Sequence, residues 1–334
     1  MLSRRTLMKS AAAVGFVAAA PWVARAQGVI KLRLPGATAE SHPAHIANVE
    51  LAKALKAKLG KGIETQLFPN RQLGDDRQLL EGVVAGTFEL SQAGAILIPL
   101  VTKKVAFDSY QLPFLIDTYD NFEKLALGPT TKKILDDLDN VGLVGLSVFD
   151  VGQRHFLSTK SPVRKSSEFA GLKCRIVPVP LHKDIWEAVK TTPIGLPYGE
   201  VYGALQTKVI DAVEINVSSM IGENLWEVGK YFTLTGHYFW PSVLVANKAA
   251  FNAYPKEVQQ ALREAAREAV PPTTAYTKKQ DFEGREVLKQ KGVQIIQLED
   301  LPQMRQLVDP VIARWAQKSP LIAEFVAEAK KLVT

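Results

Sequence analysis

Residues 171–178, Gly171-Leu172-Lys173-Cys174-Arg175-Ile176-Val177-Pro178, read as a short strand with a cation near its carboxyl end. Leu172, Cys174 and Ile176 alternate with Lys173, Arg175 and Val177, so the two sets face opposite sides of a sheet. Downstream, His182–Lys190 and Val201–Thr207 read as helices and Val209–Ile215 as a returning strand. Upstream the same alternation runs. Val29–Leu34 is apolar at every second position, and Ile46, Val49, Ala52, Leu55 and Leu59 recur at helical spacing from Pro43 until Gly60. Ile63–Phe68 is a strand closed by the Pro69-Asn70 turn. Asp75 and Asp76 then open a helix, where acids suit the dipole, Gly86 ends it, and Phe88–Gln92 reads as a strand. Units of this kind predict a parallel sheet with helices on both faces. The polar stretch around Asp150–Pro162 separates the two series. A helix after Pro255 carries Val258, Leu262, Ala265 and Ala269 on one face, and Pro271-Pro272 predicts a break or sharp kink in it.

With 334 residues, 47% hydrophobic and 22% charged, the chain has material for two domains and is not disordered. One cysteine, Cys174, excludes an internal disulfide and reads as a buried small hydrophobe. The formal charge of +7 is concentrated at the start. Arg4, Arg5, Lys9 and Arg25 carry no acid among them; taking these four from 41 basic residues leaves 37 against 34 acidic, a balance of +3. Charge therefore calls for no nucleic-acid partner.

Residues 1–26 combine those cations with an uncharged run from Ser10 to Ala24 and the small-x-small site Ala24-Arg25-Ala26. They read as a signal peptide of the twin-arginine type, too short in its apolar run to span a bilayer. The mature chain, from near Gln27, is expected in the periplasm with no membrane anchor. It contains no Gly-x-Gly-x-x-Gly, phosphate loop, His-Glu-x-x-His, Cys-x-x-Cys or Gly-x-Ser-x-Gly. No cofactor and no metal site are expected, and no catalytic constellation.

Several segments together resemble one family. They are Phe68-Pro69-Asn70 through Gln72-Leu73-Gly74-Asp75, Gln111-Leu112-Pro113-Phe114-Leu115, Gly152-Gln153-Arg154, Gly171 through Pro178, Pro197-Tyr198-Gly199-Glu200-Val201-Tyr202-Gly203-Ala204-Leu205-Gln206-Thr207, and Ile210-Asp211-Ala212-Val213-Glu214. In order and spacing the set is similar to the substrate-binding proteins of TRAP transporters, the DctP group. The resemblance implies a two-lobed α/β periplasmic binding protein fold, type II-like, with a ligand cleft between the lobes and a long helix spanning both. The lobes are expected at 27–150 with about 240–280, and at 151–239 with about 281–334. The resemblance also implies a carboxylate ligand, a cleft that closes on it, and delivery to the small and large membrane subunits of a permease. The rival readings are an exported enzyme acting on a small organic acid and a ligand sensor for a membrane receptor.

Arg175 is the first candidate contact. Ligands of open α/β sheets sit beyond the carboxyl ends of strands, and a guanidinium pairs bidentately with a carboxylate. It also matches the family's carboxylate-clamping Arg within Gly-Leu-Lys-x-Arg. Arg154 matches the family's Gly-x-Arg at the crossover, as a second cleft cation or as a hinge ion pair. Tyr198 stands where the family has a cleft aromatic, and Glu200 is expected to tie backbone together. The family often has Asn directly after the Glu of Asp-x-x-Glu; here Ile215 stands there and Asn216 follows as the candidate. His237-Tyr238-Phe239-Trp240-Pro241 is either a packing cluster or, through Trp240 with Tyr198 and Phe156, the wall of an apolar pocket. The second reading favours a monocarboxylate with an apolar or aromatic body over a sugar acid. Thr38–His42 and Gln92-Ala93-Gly94 lie at strand ends facing the cleft, and Gln92 is the candidate there.

Overall fold

The computed structural model describes residues 29–332, so the signal segment read at 1–26 lies outside the described residues. Strands β1 (Ile30–Pro35) and β2 (Ile63–Phe68) pair in parallel, joined through the helix Pro43–Leu59, which Gly60 ends at φ +54. Asp75 caps the helix Asp76–Val84 in a reciprocal exchange with Gln78. Strand β3 is Leu90–Gly94, later than the pattern suggests; all five of its residues are buried, so no alternation marks its phase.

The largest departure from the sequence pattern is β4, Leu143–Ser158, whose second half is the stretch read as a polar connector. Asp150, Arg154, His155 and Ser158 are at most 3% exposed there, so a buried strand carries the residues of a loop. Up to Gln153, β4 pairs antiparallel with β9 (Phe239–Asn247), and β3 lies antiparallel on the far side of β9. From Arg154 onward β4 runs between β7 (Ala212–Asn216) and β8 (Tyr231–Leu234). Strands β5 (Lys173–Ile176) and β6 (Thr192–Gly195) continue beyond β7, and β10 (Gln294–Gln297) lies on β8, all in parallel. The sheet is therefore mixed, not parallel throughout. A chain that crosses out along β4 and returns along β9 must set those two strands in opposite directions.

The register slips between Asp150 and Gln153, where β4 leaves one half for the other. Gly152 stands there at φ +120, and a Cβ on it would come within 2.8 Å of Asn216 Nδ2. The helices Pro180–Ala188 and Val201–Gln206 form close to their sequence positions. Lys256–Glu268 and Val270–Gln290 meet at Ala269 as one 35-residue bent helix that packs on β4 and on the helices Pro43–Leu59 and Val217–Gly222. The bend falls just ahead of Pro271-Pro272, which occupy the first turn of the second segment, where a backbone N–H is dispensable. At the carboxyl end, Leu301–Ala316 packs on Pro180–Ala188, and Pro320–Lys330 reaches back to Pro129–Asp136. Cys174 is buried and unpaired. No helix among the described residues is long and apolar enough to cross a membrane.

Candidate functional site

Between the two halves of the sheet lies a cavity of about 140 Å³. Thr38, His42, Asp75, Asp76, Leu97 and Leu100 line it from the first half; Arg154, Arg175, Val177, Pro197, Tyr198 and Ser219 from the second. Trp240, on the returning strand β9, lies between them. Four sequence candidates thus meet in one cavity: Arg154, Arg175, Tyr198 and Trp240.

Arg175 extends from β5, flanked by Ile194 of β6 and Val213 of β7. It is 1% exposed. Its Nε and Nη2 both donate to the Leu196 carbonyl, at 2.9 and 2.7 Å. That pins the side edge of the guanidinium to the chain. The end edge, Nη1 with the second Nη2 hydrogen, has no hydrogen-bond partner among the described residues, and the side chain lines the cavity. Burial, with the nearby Arg154 charge, brings its pKa down to about 10, against the pull of Glu214; it remains a cation near neutral pH. A carboxylate meeting that end edge makes two parallel hydrogen bonds and neutralises a buried charge.

Arg154 is differently placed. Its Nε donates to Glu214 Oε2 at 2.6 Å, its Nη2 to the Glu214 carbonyl at 2.6 Å, and its Nη1 reaches Asn216 Oδ1 at 3.5 Å. Burial works against its charge, yet Glu214 outweighs burial and holds the pKa above its ordinary value. One guanidinium face lies 4.6 Å from the Trp240 ring centroid. Glu214, through its carboxylate and its carbonyl, takes two of the five N–H donors, and Asn216 a third.

His42 Nδ1 accepts from the Ala44 N–H at 3.1 Å, so the proton of the neutral ring sits on Nε2 and donates to Ser219 Oγ, 3.0 Å away across the cleft. Burial, then the charges of Arg154, Arg71 and His45, lower its pKa to about 3. Asp76 at the cavity edge is pushed up to about 7, first by burial and then by Asp75. Thr38 Oγ1 is buried without a partner among the described residues.

Gln92 does not reach the main cavity. It lines a small adjoining one with Thr38, His42, Asp76 and Trp240. Its amide donates to Asn48 Oδ1 and the Ala44 carbonyl, and its oxygen accepts from Ser242. Asn216 lines neither cavity. Its amide donates to the Val151 carbonyl and to Ser218 Oγ, which ties β7 to the bulge in β4. Phe156 belongs to the core, 0% exposed and stacked on Trp186 at 5.4 Å, so it is no wall of the pocket. Glu200 is exposed rather than buried among backbone segments. The sequence reading named the Thr38–His42 segment without a contact atom and missed Ser219, Leu97, Leu100 and the acids at the cavity edge. Only the return of separate segments to one cleft gathers them.

Among the described residues no cluster of His, Cys, Asp and Glu has the makings of a metal site. The sequence model of bacterial extracellular solute-binding protein family 7, DctP, matches residues 36–319. The 2,3-diketo-L-gulonate-binding periplasmic protein YiaO of Escherichia coli is 29% identical over 71% of this chain and 72% of its own. A TRAP periplasmic solute-binding protein from Ochrobactrum anthropi, solved with its C-terminus in the ligand-binding pocket, is 29% identical; the match covers 91% of this chain and 96% of that one at a TM-score of 0.81. Another, from Bradyrhizobium sp. BTAi1 in complex with galacturonate, is 26% identical over 90% and 100% of the two chains, at 0.85. The two crossovers, the bent helix and the enclosed arginine are thus parts of a binding protein and not of an enzyme, and the chain belongs to the bacterial extracellular solute-binding protein family 7, the DctP family of TRAP periplasmic solute-binding proteins.

Proposed function

We propose that this protein captures a small organic acid in the cavity between its halves, with the carboxylate on the end edge of Arg175, and hands it to the small and large membrane subunits of a TRAP permease. The observation that carries this reading is the half-used guanidinium of Arg175, buried and lining an enclosed cavity. The relatives support it, since the Escherichia coli protein is named for a keto sugar acid and the Bradyrhizobium one holds a uronate. Arg154 contributes charge from behind, Tyr198 and Trp240 cover the body of the acid, Gln92 braces the first half, and Asn216 braces the crossover. Leu97, Leu100, Val177 and Pro197 offer the body an apolar surface, and Asp76, His42 and Ser219 give one edge polar groups.

Residues 27–150 with about 240–280 move as one lobe, and 151–239 with about 281–334 as the other, with the bulge at Asp150–Gln153 and the bend at Ala269 absorbing the motion. The exception is the last helix, Pro320–Lys330, which packs on Pro129–Asp136 and so moves with the first lobe. The acid favours the closed form because only there do both lobes touch it. Residues 1–26 direct export through the twin-arginine route.

Thermal-shift titration against a panel of aryl, branched-chain and sugar acids tests the reading, with native mass spectrometry of protein purified without refolding. A bound acid at 100 times its Kd is expected to stabilise the fold by about 2.7 kcal/mol. No shift with any carboxylate, or equal shifts with the amides of the same compounds, ends it.

A further inference from the structure

The turn after β2 does something the cavity does not account for. Asn70 and Arg71 both adopt left-handed backbone, at φ 56 and 59, a conformation side chains other than glycine seldom take. Three backbone hydrogen bonds hold the turn against the end of β1: Gly36 to the Phe68 carbonyl, Asn70 to Thr38 and Arg71 to Gly36. So fixed, Arg71 reaches over the cleft to the other half. Its Nη2 donates to Glu223 Oε1 at 2.7 Å, and its guanidinium lies 4.9 Å from the centroid of Tyr198, a residue of the cavity wall. Gly199 allows the approach, since a Cβ there would stand 3.3 Å from Arg71 Nε. Glu223 caps the carboxyl end of the helix Val217–Gly222, where a carboxylate opposes the helix dipole and is better placed facing a cation than facing the helix. The two side chains are only 27% and 19% exposed, too enclosed for water to screen the pair fully.

We propose that Arg71 and Glu223 are a latch across the mouth of the cavity, holding the halves together and Tyr198 in place through contacts that require no ligand. Arg71 is a positioning residue in this arrangement. It does not line the cavity and acts on the occupant through Tyr198. The hydrogen bond from His42 to Ser219 spans the same cleft and closes with it. The latch gives the protein a closed population of its own and slows the escape of whatever is inside. The inference rests on reading the cavity as a cleft that opens and shuts.

The test is the distance between spin labels on exposed sites of the two halves, Lys61→Cys and Gln206→Cys, with the buried Cys174 left unlabelled. The mature chain is refolded from denaturant so that no small molecule is carried through. The labelled protein is expected to show a short-distance, closed fraction. Arg71→Ala and Glu223→Ala are each expected to lower the closed-to-open ratio by about three- to fivefold, the upper end of what such an ion pair supplies. The double variant should be no worse than either single one, and Arg71→Glu combined with Glu223→Arg should recover part of the ratio. A labelled parent that is wholly open, single variants indistinguishable from it, or additive losses in the double variant would each overturn the latch. No acid is present, so the result stands apart from the carboxylate reading, which the titration panel judges separately.

Discussion

Arg175 and Arg154 are two buried guanidiniums on strands of one sheet, both lining the same cavity, and they are used in opposite ways. Arg154 has a carboxylate, a carbonyl and an amide oxygen from β7 around it. Arg175 has a single carbonyl on its side edge. A charge is costly to bury unless paired, so Arg154 is a finished interaction and Arg175 an unfinished one. Their pKa values run the same way, with Glu214 lifting Arg154 and burial lowering Arg175. Pocket position alone does not mark a ligand contact; the hydrogen bonds still unspent do.

The strongest way to break this contrast is to remove each charge in turn. Arg154→Met strands Glu214 as a buried, unpaired carboxylate and is expected to cost about 3–5 kcal/mol in chemical denaturation. Arg175→Met loses only the bonds to Leu196 while relieving a buried charge, so its cost should stay under about 2 kcal/mol. Equal losses would dissolve the distinction. In binding the ranking reverses. Calorimetry with an acid from the panel should show Arg175→Ala weakened by about 2–5 kcal/mol, roughly 30- to several-thousand-fold. Arg175→Lys should fail badly as well, because an ammonium lacks the paired donors. Near-parental affinity in Arg175→Lys would show that charge suffices and the planar edge does not matter.

The sequence carried this contrast only in part. Alternation in Leu172–Val177 placed Arg175 and Val177 on one face, and both line the cavity. The helix starts at Pro43 and Asp75 were legible because proline and acidic caps are local signals. The second half of β4 was not legible, since Asp150, Arg154, His155 and Ser158 look like loop residues until their partners on β7, β8 and the bent helix are known. For the same reason Arg154 remained open between ligand contact and ion pair. Its partner Glu214 is 60 positions away, and no spacing rule joins them. His42 and Ser219, 177 positions apart, were beyond reach for the same cause.

Gly152 sharpens the comparison, because it stands against Asn216, whose side-chain oxygen faces Arg154. Gly152→Ala puts a Cβ against Asn216 Nδ2 in a backbone conformation that disfavours side chains. The Asn216 brace and the Arg154 contact behind it should loosen, with a stability loss of about 1–3 kcal/mol. The end edge of Arg175 is untouched, so affinity should fall less than fivefold once folding is restored by lower temperature. A collapse of affinity comparable to that of Arg175→Ala would mean that the crossover, and not the free guanidinium edge, governs capture.

The smallest expected effect is that of mild acid. Neither guanidinium titrates there, as Arg175 loses its proton only near pH 10 and Arg154 higher still. The groups that do respond oppose each other. His42, His45, His155, His182 and His237 are all held neutral, chiefly by burial. As pH falls below about 6.5 their unfolded counterparts bind protons that the native state refuses, so stability drops. Asp76 and Asp108 are raised to about 7, and Asp150 and Asp281 are also raised, again chiefly by burial. They bind protons in the native state first, so over the same range they add stability as pH falls. The two sets pull in opposite directions between roughly pH 4.5 and 6.5, so the midpoint of chemical denaturation should move little there. Below about pH 4 the unfolded acids are protonated too and no longer offset the histidines. Against burial, cationic partners hold down the pKa values of Asp184 and Asp211, so these two lose their stabilisation there as well, and stability should fall steeply. A steady decline beginning at pH 6.5 would mean that the four acids are ionised in the native protein.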